Sequence, residues 1–110
     1  MKDRLRGDLR TAMKARRAQE AALLRALIAV IDNAEAPPLA AADDRYRAHD
    51  FRSGSAEVER LLLDDARIRE LLQAEVNERE RVAADLERLG QGERAGALRT
   101  EALLTRRYID

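Results

Sequence analysis

The feature that most constrains the fold is an apolar stripe at helical spacing between residues 18 and 35. The densest part of the stripe, Leu23–Ile31, contains Arg25 and is far shorter than the roughly 20 residues that span a bilayer. Pro37 and Pro38 follow and must end the helix, because proline lacks an amide hydrogen and disfavours helix in the residue before it. The pattern predicts a soluble protein with a central helix over residues 18–35. Its apolar face consists of Leu23, Leu24, Leu27, Ile28, Val30, Ile31 and Ala34.

Three further segments show the same helical spacing, at about residues 2–15, 65–89 and 93–108. Asp64 is placed to cap the third helix, and Gly90 and Gly92 are placed to end it. High Ala, Leu, Arg and Glu with few β-branched or aromatic residues also favour an all-α chain. The expected apolar face of helix 1 consists of Leu5, Leu9, Ala12 and Met13. That of helix 3 consists of Ile68, Leu72, Val76, Ala83 and Leu86, flanked by Leu71 and Leu89. That of helix 4 consists of Ala97, Leu98, Ala102, Leu104 and Tyr108, with Leu103 nearby.

These elements predict one four-helix domain that covers residues 1–110. The short glycine-containing turn should make helices 3 and 4 an antiparallel hairpin, and helices 1 and 2 should pack against it. Residues 36–63 are expected to form a long loop between helices 2 and 3, with His49 as a surface residue. Exposed apolar side chains on helix 4 or around Leu61–Leu63 would provide a surface for a homodimer.

The composition excludes several kinds of functional site. The chain has no cysteine and one histidine, so a cysteine-based zinc site, a disulfide framework or a catalytic triad is not expected. It contains neither a glycine-rich phosphate loop nor a nucleophile elbow. The charged start, MKDRLRGDLR, does not resemble a signal peptide, and we expect a cytoplasmic protein. No catalytic residue, metal or cofactor is predicted.

A basic strip on helix 1 is the first candidate site. It consists of Arg6, Arg10, Lys14 and Arg17, at spacings of 4, 4 and 3 residues. Fixed cations at helical spacing can contact the phosphates of a nucleic acid, and Arg25 would support them from helix 2. The alternative is an ordinary solvated helix face, whose cations pair with Asp3, Asp8 or Glu20.

Arg79 is the second candidate, because it interrupts the apolar stripe of helix 3. In a structural role its stem packs on the core and its guanidinium reaches Glu75 or Glu101. In a functional role the guanidinium lies in a cleft and binds an anion. The sequence leaves both alternatives open.

Four segments carry a resemblance to a known family: DLRTAMKAR, LLRALIAVIDNAEA, LLQAEVNER and LGQGERA. In their order and spacing they resemble the N-terminal helical part of the GatB/YqeY-like family, over nearly the whole chain. The residues that fill the corresponding places are Asp8, Ala12, Met13, Lys14, Leu24, Arg25, Asn33, Glu35, Gln73, Glu75, Arg79, Glu101 and Tyr108.

The resemblance implies a non-catalytic accessory module, because the related part of glutamine-dependent aminoacyl-tRNA amidotransferase helps to engage tRNA while amide transfer happens elsewhere. Two departures stand against this. The segment before Asp64 is longer than in the usual form, and the chain ends at Asp110 where family members continue into a second helical domain. The alternative function is a protein-interaction or structural module that binds no RNA. A third, an enzyme that transfers an amide, finds no supporting set of residues.

Overall fold

The structure is a computed structural model that describes residues 1–36 and 62–110. The described part contains four helices and no strand: α1 (Lys2–Lys14), α2 (Ala18–Glu35), α3 (Asp65–Arg88) and α4 (Gly92–Arg106). The predicted all-α, four-helix fold is confirmed. The bounds of α2 match those predicted, and the other helix ends differ by at most two residues. Most of the predicted loop, including His49, lies outside the described residues.

The local signals that end and begin helices act as the sequence predicts, with one exception. The Asp64 carboxylate accepts a hydrogen bond from the backbone N–H of Arg67 at 2.8 Å, which caps α3. Gly90 has φ of 77°, a left-handed conformation that glycine adopts readily, and it ends the hairpin's first helix. Gly92 does not help to end α3, because it is already the first residue of α4.

The helices form two antiparallel hairpins. In the α3–α4 hairpin, Arg79 pairs with Glu101 and Glu87 pairs with Arg99, which is the register expected across a turn near Gly90. In the α1–α2 hairpin, Lys2 at the start of one helix meets Glu35 at the end of the other. α2 provides the direct helix–helix contact between the hairpins, with both α3 and α4. α1 reaches the second hairpin through side chains.

One apolar core joins the two hairpins. It buries side chains from α1, α2, the first half of α3 and the C-terminal tyrosine: Leu5, Ala12, Ala21, Leu23, Leu24, Leu27, Ile31, Ile68, Leu72 and Tyr108. Each fully buried leucine or isoleucine contributes roughly 1.5–3 kcal/mol relative to an exposed one. Further along the hairpin the interior is formed by small side chains, among them Ala83, Ala95 and Ala102, which let α3 and α4 approach closely.

Four apolar positions predicted on or near the helix faces are exposed instead, among them Leu103 on α4, which is 66% exposed. Met13 is 52% exposed, because it lies in the last turn of α1, just before the chain reverses at Arg16. Leu89 is 73% exposed at the hairpin tip, beyond the reach of α2. Ala97 is exposed because the buried face of α4 is rotated from the predicted one, and Ala95 and Thr105 are buried there instead.

Candidate nucleic-acid interface

The basic strip lies on the exposed side of α1 and continues into the turn before α2. The positions Arg6, Arg10 and Lys14 are one helical turn apart, and all are exposed. Arg17 precedes α2, and its backbone N–H donates to the carbonyl of Ala12 at 2.9 Å, which fixes its place beside the end of α1. The structure therefore places Arg6, Arg10 and Lys14 on one exposed face of α1, with Arg17 beside the end of that helix.

The partners of these cations are few and weak. Arg6 lies 3.8 Å from Asp3, whose side chain is fully exposed, and Arg17 lies 3.4 Å from Glu20. Exposed pairs of this kind contribute about 0–1 kcal/mol. Within residues 1–36 and 62–110, neither Arg10 nor Lys14 has an ion pair.

The third carboxylate expected near the strip, Asp8, has another partner. It accepts a hydrogen bond of 2.5 Å from the Tyr108 hydroxyl, and the guanidinium carbon of Arg4 lies 4.6 Å from the centre of the tyrosine ring. Burial, and then the hydrogen bond to the Asp8 carboxylate, raise the pKa of Tyr108 well above its ordinary value. Asp8 thus ties α1 to the C-terminus rather than neutralising the strip.

The arginines of the α3–α4 hairpin are arranged differently, because most of them face carboxylates. Exposed pairs join positions three or four apart on α3, or join α3 to α4. They are Arg67–Glu70, Arg81–Glu78, Arg81–Asp85, Arg88–Asp85, Arg99–Glu87 and Arg106–Glu80. Between residues 2 and 17 there are seven basic and two acidic residues, so the first hairpin carries an excess of positive charge at α1.

Arg79 lies between two carboxylates. Its Nη1 is 2.8 Å from Oε1 of Glu75 and its Nε is 3.0 Å from Oε1 of Glu101, while only 14% of its side chain is exposed. Burial by itself lowers the pKa of Arg79, but the hydrogen bonds to Glu75 and Glu101 outweigh it, so the pKa is raised. Because two carboxylates already contact the Arg79 guanidinium, they would repel any external anion that approached it. The structure brings together the three residues predicted from sequence, as an ion-pair bridge between α3 and α4.

Arg25 is exposed on α2, eight residues beyond Arg17. No ion pair involves it within the part of the chain that the structure describes. No direct contact among the described residues ties Arg25 to the basic strip, and its support of phosphate binding stays a prediction.

Sequence reasoning missed a groove beside the strip. A depression of about 440 Å³ lies between the start of α2 and the end of α4. Its lining residues are Arg17, Ala18, Gln19, Glu20, Leu104 and Arg107. Arg17 and Arg107 are 90 positions apart in the chain, so no local pattern could have placed them together.

No protein-family model matches this chain, and neither a curated protein nor a solved structure matches it. Among the described helices, none is both long and apolar enough to cross a membrane. The described residues also contain no group of three or more histidine, cysteine or acidic side chains arranged to hold a metal ion.

Proposed function

We propose that this chain is an accessory, non-catalytic module that binds tRNA through the basic strip of α1, with Arg25 in a supporting position. The observation that carries the proposal is the contrast between two sets of cations. Most of the hairpin arginines face carboxylates of the same chain, whereas Arg10 and Lys14 lie exposed without one among the described residues. The choice of tRNA rests on the resemblance to the GatB/YqeY-like family.

The dimensions of the strip suit a nucleic-acid backbone. From Arg6 to Lys14, α1 advances about 12 Å at roughly 1.5 Å per residue. A nucleic-acid strand carries a phosphate every roughly 3.4 Å, so this part of the strip runs past about three to four of them, and Arg17 follows beyond the end of α1. If four cations each neutralise one phosphate, the logarithm of the affinity falls with the logarithm of the salt concentration with a slope of about −3.

The test is tRNA binding followed by fluorescence anisotropy across a salt series, with an unrelated RNA for comparison. In the double variant Arg10→Gln and Lys14→Gln, the slope should drop to about half and the affinity at low salt should fall at least tenfold. The matched control removes the same number of charges from α3, in Arg81→Gln and Arg88→Gln, and should keep the slope.

Helix content measured by circular dichroism should be the same in both double variants, because all four side chains are exposed. Unchanged binding by the α1 variant would refute the strip as the interface. An equal loss in the α3 control would show that only net charge matters. Equal affinity for tRNA and the unrelated RNA would refute the choice of tRNA.

The second candidate is a protein-interaction module that binds no RNA. Its specific support is that the one aromatic residue in the described ranges, Tyr108, is buried and cannot stack on a base. The exposed Leu103 on α4, at 66%, provides apolar contact area instead. The two candidate functions can be distinguished by purifying the tagged chain from cell extract with and without nuclease. An RNA partner is lost on nuclease treatment, whereas a protein partner is retained.

A further inference from the structure

The groove between α2 and α4 is a shallow depression, open to solvent, whose lining mixes charged and apolar side chains. Its volume is about 440 Å³, and four of its six lining residues are exposed. Leu104 and Ala18 supply apolar surface, while Arg17 and Arg107 supply positive charge. Glu20 supplies a hydrogen-bond acceptor.

The backbone at each of the two arginines is held by a contact from a separate element, while both side chains are exposed. Arg17 is fixed through its N–H bond to the carbonyl of Ala12, and the carbonyl of Arg107 accepts a hydrogen bond of 3.2 Å from the Arg4 guanidinium. Arg107 has no ion pair among residues 1–36 and 62–110. Because the backbone is already positioned at both residues, binding has to order only the two side chains.

The other wall is fixed as well. The Gln19 side-chain amide donates to the carbonyl of Ala97 at 3.2 Å, which ties the first turn of α2 to the middle of α4. Glu20 lies partly buried beside Arg17, so one carboxylate faces the groove together with the arginines. The groove is therefore mixed in chemistry, with cations at the rim, a carboxylate and an apolar surface at Leu104.

This combination selects among ligands. Inorganic phosphate would not contact the apolar surface and would be repelled by the Glu20 carboxylate. An aliphatic carboxylate has no donor for a hydrogen bond to Glu20. A nucleotide uses all three features. Its phosphate meets Arg107, its base lies against Leu104 or a guanidinium plane, and an amino group of the base donates to Glu20.

We propose that the groove binds one unpaired nucleotide, as part of the RNA that contacts the basic strip. The inference rests on the proposed function, because the groove begins at Arg17, the last cation of the strip. The basic strip attracts the phosphates of any nucleic acid, whereas the groove adds a preference for unpaired nucleotides. A base inside a duplex is stacked and paired, so the groove accepts only a nucleotide from a loop, a bulge or an end.

The experiment compares a labelled single-stranded oligoribonucleotide with a blunt RNA duplex of the same length, by fluorescence anisotropy. The natural chain should prefer the single strand. Arg107→Gln should weaken single-strand binding about tenfold and change duplex binding less than twofold. The matched control is Arg106→Gln, whose guanidinium pairs with Glu80 on α3 rather than lining the groove, and it should behave as the natural chain.

Two results would overturn the inference: equal affinity of the natural chain for single strand and duplex, or equal losses for both ligands in Arg107→Gln. Adenosine monophosphate is the probe for a free nucleotide. One outcome is that adenosine monophosphate binds, that Arg107→Gln abolishes this binding, and that no RNA binds. The groove is then a nucleotide site, and the proposed RNA function is refuted. Another outcome is that the double variant Arg10→Gln and Lys14→Gln binds duplex as before, while Arg107→Gln binds the single strand more weakly. The basic strip is then refuted as an interface, and the groove is supported. Binding of neither RNA nor the free nucleotide overturns both.

Discussion

Glu35 provides the sharpest test of how this fold is held together. It is the last residue of α2 and is only 1% exposed, although it carries a carboxylate. Its Oε1 lies 2.6 Å from the Lys2 ammonium, and its Oε2 accepts the backbone N–H of Leu63 at 3.3 Å. One side chain therefore joins the start of α1, the end of α2 and the segment that leads into α3.

The expected loss of stability follows from these two contacts. Glu35→Gln keeps an oxygen for the Leu63 N–H but removes the charge that pairs with Lys2, a charge-assisted bond of about 1.5–3 kcal/mol. Asp32, at 3.6 Å from the same ammonium, limits the loss, so we expect about 2 kcal/mol. Glu35→Ala also removes the acceptor for Leu63 and leaves space in the interior, so we expect about 3–5 kcal/mol.

The assay is urea unfolding followed by circular dichroism, with the free energy of unfolding taken from the midpoint and the slope. The matched control is Glu78→Gln, which removes one carboxylate from an exposed pair with Arg81 and should cost less than about 1 kcal/mol. The order of stability should be natural chain, Glu78→Gln, Glu35→Gln, Glu35→Ala. If Glu35→Gln is no less stable than Glu78→Gln, the buried carboxylate is not a structural contact and the reasoning is refuted.

Three further predictions concern stability. Gly90→Ala should lower the free energy of unfolding by about 1 kcal/mol, because φ of Gly90 is 77°. Gly96 is exposed inside α4 with open space for an added methyl group, so Gly96→Ala should raise the free energy of unfolding by about 0.5–1 kcal/mol. Equal effects of the two changes in urea unfolding would contradict this prediction. Asp64→Ala should cost about 1 kcal/mol and Asp64→Ser much less, since serine also caps helices. Tyr108 has a raised pKa in the folded chain, so its contribution to stability is complete below the unfolded value of about 10 and is lost as pH rises above it. Tyr108→Phe should flatten this part of the pH dependence of unfolding, and an unchanged slope would refute the assignment.

The helices and their ends were predictable because local chemistry decides them. α2 ends at Glu35, two residues before the prolines that are predicted to limit it, the Asp64 side chain caps α3, and Gly90 supplies the left-handed residue between the hairpin helices. The partners of Arg79 were predictable for a related reason. Glu75 is one turn away on the same helix, and an antiparallel hairpin that turns near Gly90 places Glu101 opposite.

What the sequence could not reveal depends on distant parts of the chain. A glutamate in the last turn of α2 is expected to be exposed, and the burial of Glu35 depends on contacts such as those with Lys2, 33 positions earlier, and with the Leu63 N–H. The groove has the same origin, because Arg107 meets Arg17 only after the hairpins pack together. Periodicity also misplaces residues where a helix has neighbours along part of its length, as Met13 shows.

Arginine has two separate physical uses in this fold, and the separation makes the proposed function testable. Arg79, between Glu75 and Glu101, is partly buried and holds two helices together, so its removal changes stability. Arg10 and Lys14 contact no carboxylate in the described part of the chain and bury no core area, so their removal leaves stability nearly unchanged. The side chains that maintain the fold and those proposed to bind RNA are thus different sets, and a loss of binding in an α1 variant with unchanged unfolding reports on the interface alone.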